Sequence, residues 1–210
     1  MKSKKQLIMT TILCLLPILM TMAVYDKLPN EMAIHFDASG APNGYASKVM
    51  AGFGLPLFLT AINFIIHIFV DADPKNAGKS EILINMGKWS IPAISLTVMP
   101  MTILYALGWN VKFETIVPIG VGILFMIIGN YLPKCRQNYT VGIKLPWTLH
   151  SEENWRRTHR LGAWAFVLSG LLFIAQGALK LNSAVIITVT LALVLVCPCV
   201  YSYTMYKKGI

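Results

Sequence analysis

The sequence predicts an all-α membrane protein, a six-transmembrane-helix bundle with a small ordered extracellular loop of β-hairpin character. Three observations predict it. Of 210 residues, 56% are hydrophobic and only 13% charged, a balance that soluble domains seldom show. Apolar runs close to the ~20 residues needed to cross a bilayer recur along the chain. No polar stretch is long enough to bury a core of its own.

The spans are read at Leu7–Tyr25, Ala51–Val70, Trp89–Leu107, Thr115–Leu132, Leu161–Leu179 and Ser183–Tyr203. The first follows Lys2, Lys4 and Lys5, as a signal peptide would. Its apolar run is longer than a signal h-region and no A-x-A site follows, so it is read as a retained span. Most spans contain proline (Pro17, Pro56, Pro92, Pro100, Pro118, Pro198), which shapes membrane helices. The net charge is +9. With the N-terminus in the cytoplasm, every Arg falls inside and only Lys27, Lys48, Lys112 and Lys180 fall outside. The positive-inside rule therefore accounts for the charge without direct nucleic-acid binding. The expectation is a multi-pass cell-membrane protein with cytoplasmic N- and C-termini, whose basic inner face favours anionic lipids. Cys14, Cys135, Cys197 and Cys199 all avoid the outside loops, so no disulfide is expected.

Two long loops divide the chain into halves, 1–110 and 111–210. Asp26–Met50 follows the first span and lies outside; Pro133–Arg160 follows the fourth and lies inside. They open alike, Tyr25-x-x-Leu28-Pro29 against Tyr131-Leu132-Pro133, which makes an inverted repeat a candidate plan. The Asp71–Lys88 link is plain and polar, with an Asp73-Pro74 turn signal.

In the outer loop, Met32–Phe36 alternates in part and suits a strand, while Asp37-Ala38-Ser39-Gly40 and Pro42-Asn43-Gly44 read as turns. Its polar set is Asp26, Glu31, His35 and Asp37, with His35 and Asp37 on one face if the strand runs that far. Two readings stand, a surface for an external ligand and a solvated loop whose polar groups satisfy its own turns. A metal site lacks a ligand spacing.

The inner loop holds the densest polar block of the chain, NYTVGIKLPWTLHSEENWRRTHR from Asn138 to Arg160. Asn138–Leu145 suggests an extended piece ended by Pro146. Ser151 suits an N-cap, with Glu152 and Glu153 in the first turn. Glu152–Arg156 and Glu153–Arg157 are spaced as i,i+4 pairs. The helix should pass the interface at Trp155 and Arg160 and enter the bilayer. An interfacial anchor explains Trp155, Arg156, Arg157 and Arg160, but not the ordered piece ahead of them, which suggests a docking surface or an inner gate.

Both loops resemble the SdpI immunity-protein family of Gram-positive bacteria. The outer loop is similar to a DUF1648 signature through Leu28-Pro29, Ile34-His35-Phe36, Gly40 and Gly44-Tyr45-x-Ser47-Lys48. The inner one is similar to the family's second signature. It runs through Gly129-Asn130-Tyr131-x-Pro133 and Asn138-Tyr139-x-x-Gly142-Ile143-Lys144-x-Pro146-Trp147-Thr148, then Glu153-x-Trp155 and Thr158-His159-Arg160. Lys144 departs from an expected Arg and loses its planar fork. The resemblance implies immunity to a secreted toxic peptide outside. It also implies, for some members, sequestration of an ArsR-type transcriptional autorepressor inside. With that role, Glu31, His35, Phe36, Asp37, Tyr45 and Lys48 are read as facing the toxin. Asn138, Tyr139, Lys144, Pro146, Trp147, Glu153, Trp155, Arg156, His159 and Arg160 are read as a cytoplasmic partner surface or gate. Without catalytic or ligand spacings, no enzyme, no cofactor and no metal are expected.

Competing signals are thinner. Cys197-Pro198-Cys199 is a metal-transport-like triplet without companion ligands. Asn63 and His67 lie one turn apart in span two, where polar groups are functional candidates or interfacial anchors. His150, Glu153 and His159 lack a hydrolase spacing. The alternative function is a small transporter or exporter of a toxic peptide or lipid-like solute.

Overall fold

The computed structural model describes residues 2–72, 81–139 and 141–210; the Asp73-Pro74 signal lies outside the described residues. Six helices are long and apolar enough to cross a membrane: Ser3–Lys27, Met50–Asp71, Ile84–Ala106, Phe113–Lys134, Glu152–Leu179 and Ser183–Lys207. Each overlaps the span that hydropathy places there. The fifth begins at Glu152 rather than Leu161, because Ser151 caps it well before the apolar run. The helices are apolar outside and polar within. Phe58, Phe69, Leu171 and Trp164 are exposed, whereas Thr10, Thr21, Asn63, Ser95 and Ser169 are fully buried. In lipid, helix association depends on close packing and hydrogen bonds rather than on hiding apolar surface.

The chain forms two compact units, one of which comprises Met1–Ala72 and Asn85–Lys112. It holds α1 (Lys2–Val24), β1 (Glu31–Phe36), β2 (Pro42–Ser47), α2 (Leu55–Asp71) and most of α3 (Glu81–Ala106). The strands pair antiparallel, Glu31 opposite Ser47 and Phe36 opposite Pro42, with an irregularity between Ala33 and His35. Pro42-Asn43-Gly44 is therefore strand, not the turn its composition suggests. The reversal is complete by Ala41, so Pro42 can open β2, a position that a residue lacking an N–H tolerates. Leu28, Met32, Ala51 and Ile103 form a buried cluster beneath the hairpin, and Phe36 meets Tyr105 edge-on at 5.0 Å.

The other unit contains Phe113–Ile210. Here α4 (Phe113–Tyr131), α5 (Pro146–His150) and α6 (Glu152–Leu179) precede α7 (Ser183–Leu191) and α8 (Cys197–Lys207), which a π-helical turn at Ala192–Val196 joins. A seam of small residues brings α4 and α6 together. A Cβ on Gly122 would lie 2.6 Å from the Gly170 carbonyl oxygen, and one on Gly170 would lie 2.6 Å from the Gly122 oxygen. Gly129 lies as close to Ala163, and Gly177 to Thr115. Backbones this near are the usual gain from small residues in membrane interfaces.

Candidate functional site

The inner block is built by its side chains folding the backbone. Asn138 closes a turn: its Oδ1 accepts from Val141 N at 2.7 Å, and its Nδ2 donates to the carbonyls of Arg136 and Val141 at 2.8 and 2.9 Å. Thr148 Oγ1 accepts from Leu145 N at 2.8 Å, which locks Pro146 as the first residue of α5. Gly142 has φ +119°, and a Cβ there would press on His159 and Trp155. Trp155 Nε1 donates to Cys135 O at 2.7 Å. The His159 ring stacks on Trp155 with centroids 4.0 Å apart.

His159 has both ring nitrogens committed. Nε2 lies 3.0 Å from Ile143 N, and Nδ1 lies 2.8 Å from Trp155 O. An amide N–H can only donate and a carbonyl can only accept. Nε2 is therefore the acceptor, Nδ1 carries the hydrogen, and the ring is neutral. Of the extended piece expected at Asn138–Leu145, the described residues 138–139 and 141–145 are irregular and are strapped over α6 by these contacts.

Trp155 is only 3% exposed. Its ring is enclosed within the block, because Gly142 and Ile143 lie over that face of α6. Trp147 instead packs on Tyr203 and Tyr206 of α8, at centroid separations of 5.4 and 6.0 Å. Glu153 takes both arginines, Arg156 at i+3 and Arg157 at i+4. This differs from the two separate pairs expected. Most of the charges that the block leaves exposed are basic, Arg136, Lys144, Arg156, Arg157 and Arg160, with the acidic Glu152 and with Tyr139, Pro146 and His150 exposed among them in sequence. Lys144 Nζ reaches Tyr139 O at 3.4 Å. Asn138, Trp155 and His159 are thus the scaffold of a surface that the cations present.

Sequence reasoning missed Asn154. Its Nδ2 donates to the carbonyls of Ser202 and Ile210, each at 3.0 Å, and its Oδ1 accepts from Ser202 Oγ at 2.6 Å and Thr158 Oγ1 at 3.1 Å. These bonds fasten the start of α6 to α8 and to Ile210. An Asn in a polar run carries no signal of such a role; only the long apolar helix beyond it shows that the position would be enclosed.

The outer hairpin has a different character. Asp37 lies beyond β1, so it does not share a strand face with His35. Its Oδ1 accepts from Ser39 N, Ser39 Oγ and Ala41 N, forming an Asx-type turn. The Ser39 hydroxyl and the two amides hold its carboxyl below the usual carboxylate range. His35 is bonded through Nδ1 to Asn43 Oδ1 at 2.5 Å. Lys48 Nζ sits 4.5 Å above the Tyr25 ring. Glu31, His35 and Tyr45 are exposed, and Phe36 is half-buried against Tyr105.

Comparison with known proteins matches these same two regions. The SdpI/YfhL protein family model matches residues 134–202, from the end of α4's terminal turn to α8. A second model, the domain of unknown function DUF1648, matches 12–60 and frames the hairpin. Immunity protein SdpI of Bacillus subtilis (strain 168) is 27% identical over 206 residues, 98% of this chain and 97% of that one. The chain is thus similar to the SdpI family along nearly its whole length. No solved structure matches it significantly. The SdpI/YfhL match takes in the strapped block, with its buried Trp155, His159 and Asn138, and runs on through α6 and α7 into α8.

Proposed function

We propose that the chain is a membrane immunity protein. It binds a secreted toxic peptide at the outer hairpin and passes the bound state to a cytoplasmic partner, an ArsR-type autorepressor, at the basic face of the inner block. The observation that carries this reading is the end-to-end similarity to a protein named for immunity. N-in, C-in topology puts the hairpin outside and the block inside, following the bias of the cations. The hairpin's shape is set by its own buried cluster and turn, which leaves Glu31, His35 and Tyr45 for a peptide. Asp37 and Phe36 shape the surface, and Lys48 braces it. Inside, Arg136, Lys144, Arg156, Arg157 and Arg160 would meet an acidic patch on the partner, or anionic headgroups in its absence. Trp155, His159 and Asn138 hold those cations in register.

Peptide contact is tested by a photo-crosslinker in place of Tyr45, which is 59% exposed. Toxic peptide added to intact cells should crosslink there and fail to crosslink from exposed Ile8 on α1. Equal capture at both positions would rule out the hairpin as the contact.

A further inference from the structure

The first unit buries a polar cluster that the immunity reading does not use. Asn63 is 0% exposed and His67 is 2% exposed. They sit one turn apart on α2 and both face Thr10 of α1. Asn63 Nδ2 donates to Thr10 Oγ1 at 3.2 Å, and His67 Nε2 lies 3.1 Å from the same oxygen. Thr10's single hydroxyl hydrogen has a partner in Leu7 O at 3.0 Å. With that hydrogen used, Thr10 Oγ1 accepts twice, so His67 carries its proton on Nε2. Two buried acceptors then remain unpartnered, Asn63 Oδ1 and His67 Nδ1. Orphaned buried acceptors are costly and call for a donor.

One turn further along α2, Asp71 binds Lys88 Nζ of α3, and Ser3 Oγ of α1 donates to it at 2.6 Å. Lys88 is 2% exposed, whereas the Asp71 side chain is 46% exposed and lies at the end of its span. Asp71 thus lies one turn beyond His67 on α2, with the Lys88 cation paired to it. On α1, Gln6 bonds Asn85 of α3 and Thr10 bonds His67, while Lys4 and Lys5 are exposed.

We propose that His67 Nδ1 is an intramembrane proton-binding site, loaded from water at the Ser3–Asp71–Lys88 end of the first unit. Hydronium gives up one O–H bond, the Nδ1 lone pair forms the new N–H bond, and water leaves. The ring becomes a cation facing Asp71 along its helix, with Asn63 Oδ1 on the same face. The chemistry selects a proton over a metal ion, since the cluster offers one imidazole and no carboxylate at its own level.

The test is nitrogen-15 NMR of histidine-labelled protein in nanodiscs across pH 5–8, the range over which imidazole charge changes are read. His67→Gln assigns the signal by removing it. The expected result is an Nε2–H neutral ring at high pH that becomes doubly protonated as pH falls. In Asp71→Asn the ring should stay neutral over the same range. In Lys88→Met it should be cationic at a pH where the wild type is still neutral, which keeps the test available if Asp71→Asn does not fold. A wild-type ring neutral throughout, an Nδ1–H tautomer at high pH, or a titration indifferent to both substitutions would overturn the proposal.

Discussion

Trp155 shows what a residue's neighbours can do to its apparent role. In sequence, a Trp beside Arg at the start of an apolar helix belongs among the headgroups. In the structure it is covered by a loop whose course depends on Asn138, Gly142 and Thr148, none of which hydropathy can see. Trp155→Ala should therefore cost about 3–5 kcal/mol, as large aromatic deletions do. Trp155→Phe, which keeps the stack on His159 but loses the bond to Cys135 O, should cost about 1 kcal/mol. Thermal unfolding of detergent-solubilised protein separates the two. Equal, negligible losses would mean that the loop does not depend on this ring. Asp37 gives a pH-dependent counterpart outside the membrane. Its folded carboxyl titrates below its unfolded one, so the turn's contribution is present above the unfolded value and fades as pH falls through the folded one. Ser39 amide protection, measured relative to intrinsic exchange at each pH, should fall in acid for the wild type. In Asp37→Asn, which can still form the turn, protection should lose that carboxylate-dependent fall.

At the level of elements, the six spans were legible because hydropathy records a transfer to lipid that needs no partner. The start of α6 was legible too, because Ser151 does cap it: its Oγ accepts from Asn154 N at 3.2 Å. The hairpin was legible as a hairpin but not in its register, since Pro42-Asn43-Gly44 reads as a turn until Asp37 is seen to close the reversal earlier. The α4–α6 seam was not legible, because glycines scattered through apolar runs do not say which of them face a helix. The seam yields a paired prediction. Gly122→Leu should destabilise by about 1–3 kcal/mol, the scale of overpacking, because its Cβ would meet Gly170 O. Gly120→Leu, where a Cβ meets nothing within 4 Å, should be close to neutral. Similar effects at both positions in denaturation midpoints would contradict the seam.

For the molecule as a whole, the family resemblance and the membrane architecture follow from the comparisons and the spans, while orientation and partners rest on charge and chemistry. The 1–110 and 111–210 halves, their inverted-repeat relation and the placement of their loops on opposite sides of the membrane are proposals that rest on charge and sequence. Neutralising Arg156, Arg157 and Arg160 together should abolish retention of an ArsR-type repressor at the membrane while leaving peptide crosslinking at the hairpin intact. Fractionation of toxin-treated cells checks it, and loss of both would mean that the two faces are not separate. The most direct measurement for the central claim is survival. A Bacillus subtilis strain lacking its own SdpI is made to express this chain and exposed to the toxic peptide to which that protein gives immunity. The account predicts colony counts restored toward those given by the native immunity protein. Membrane-inserted, well-expressed protein that leaves the cells as sensitive as the empty strain would contradict it.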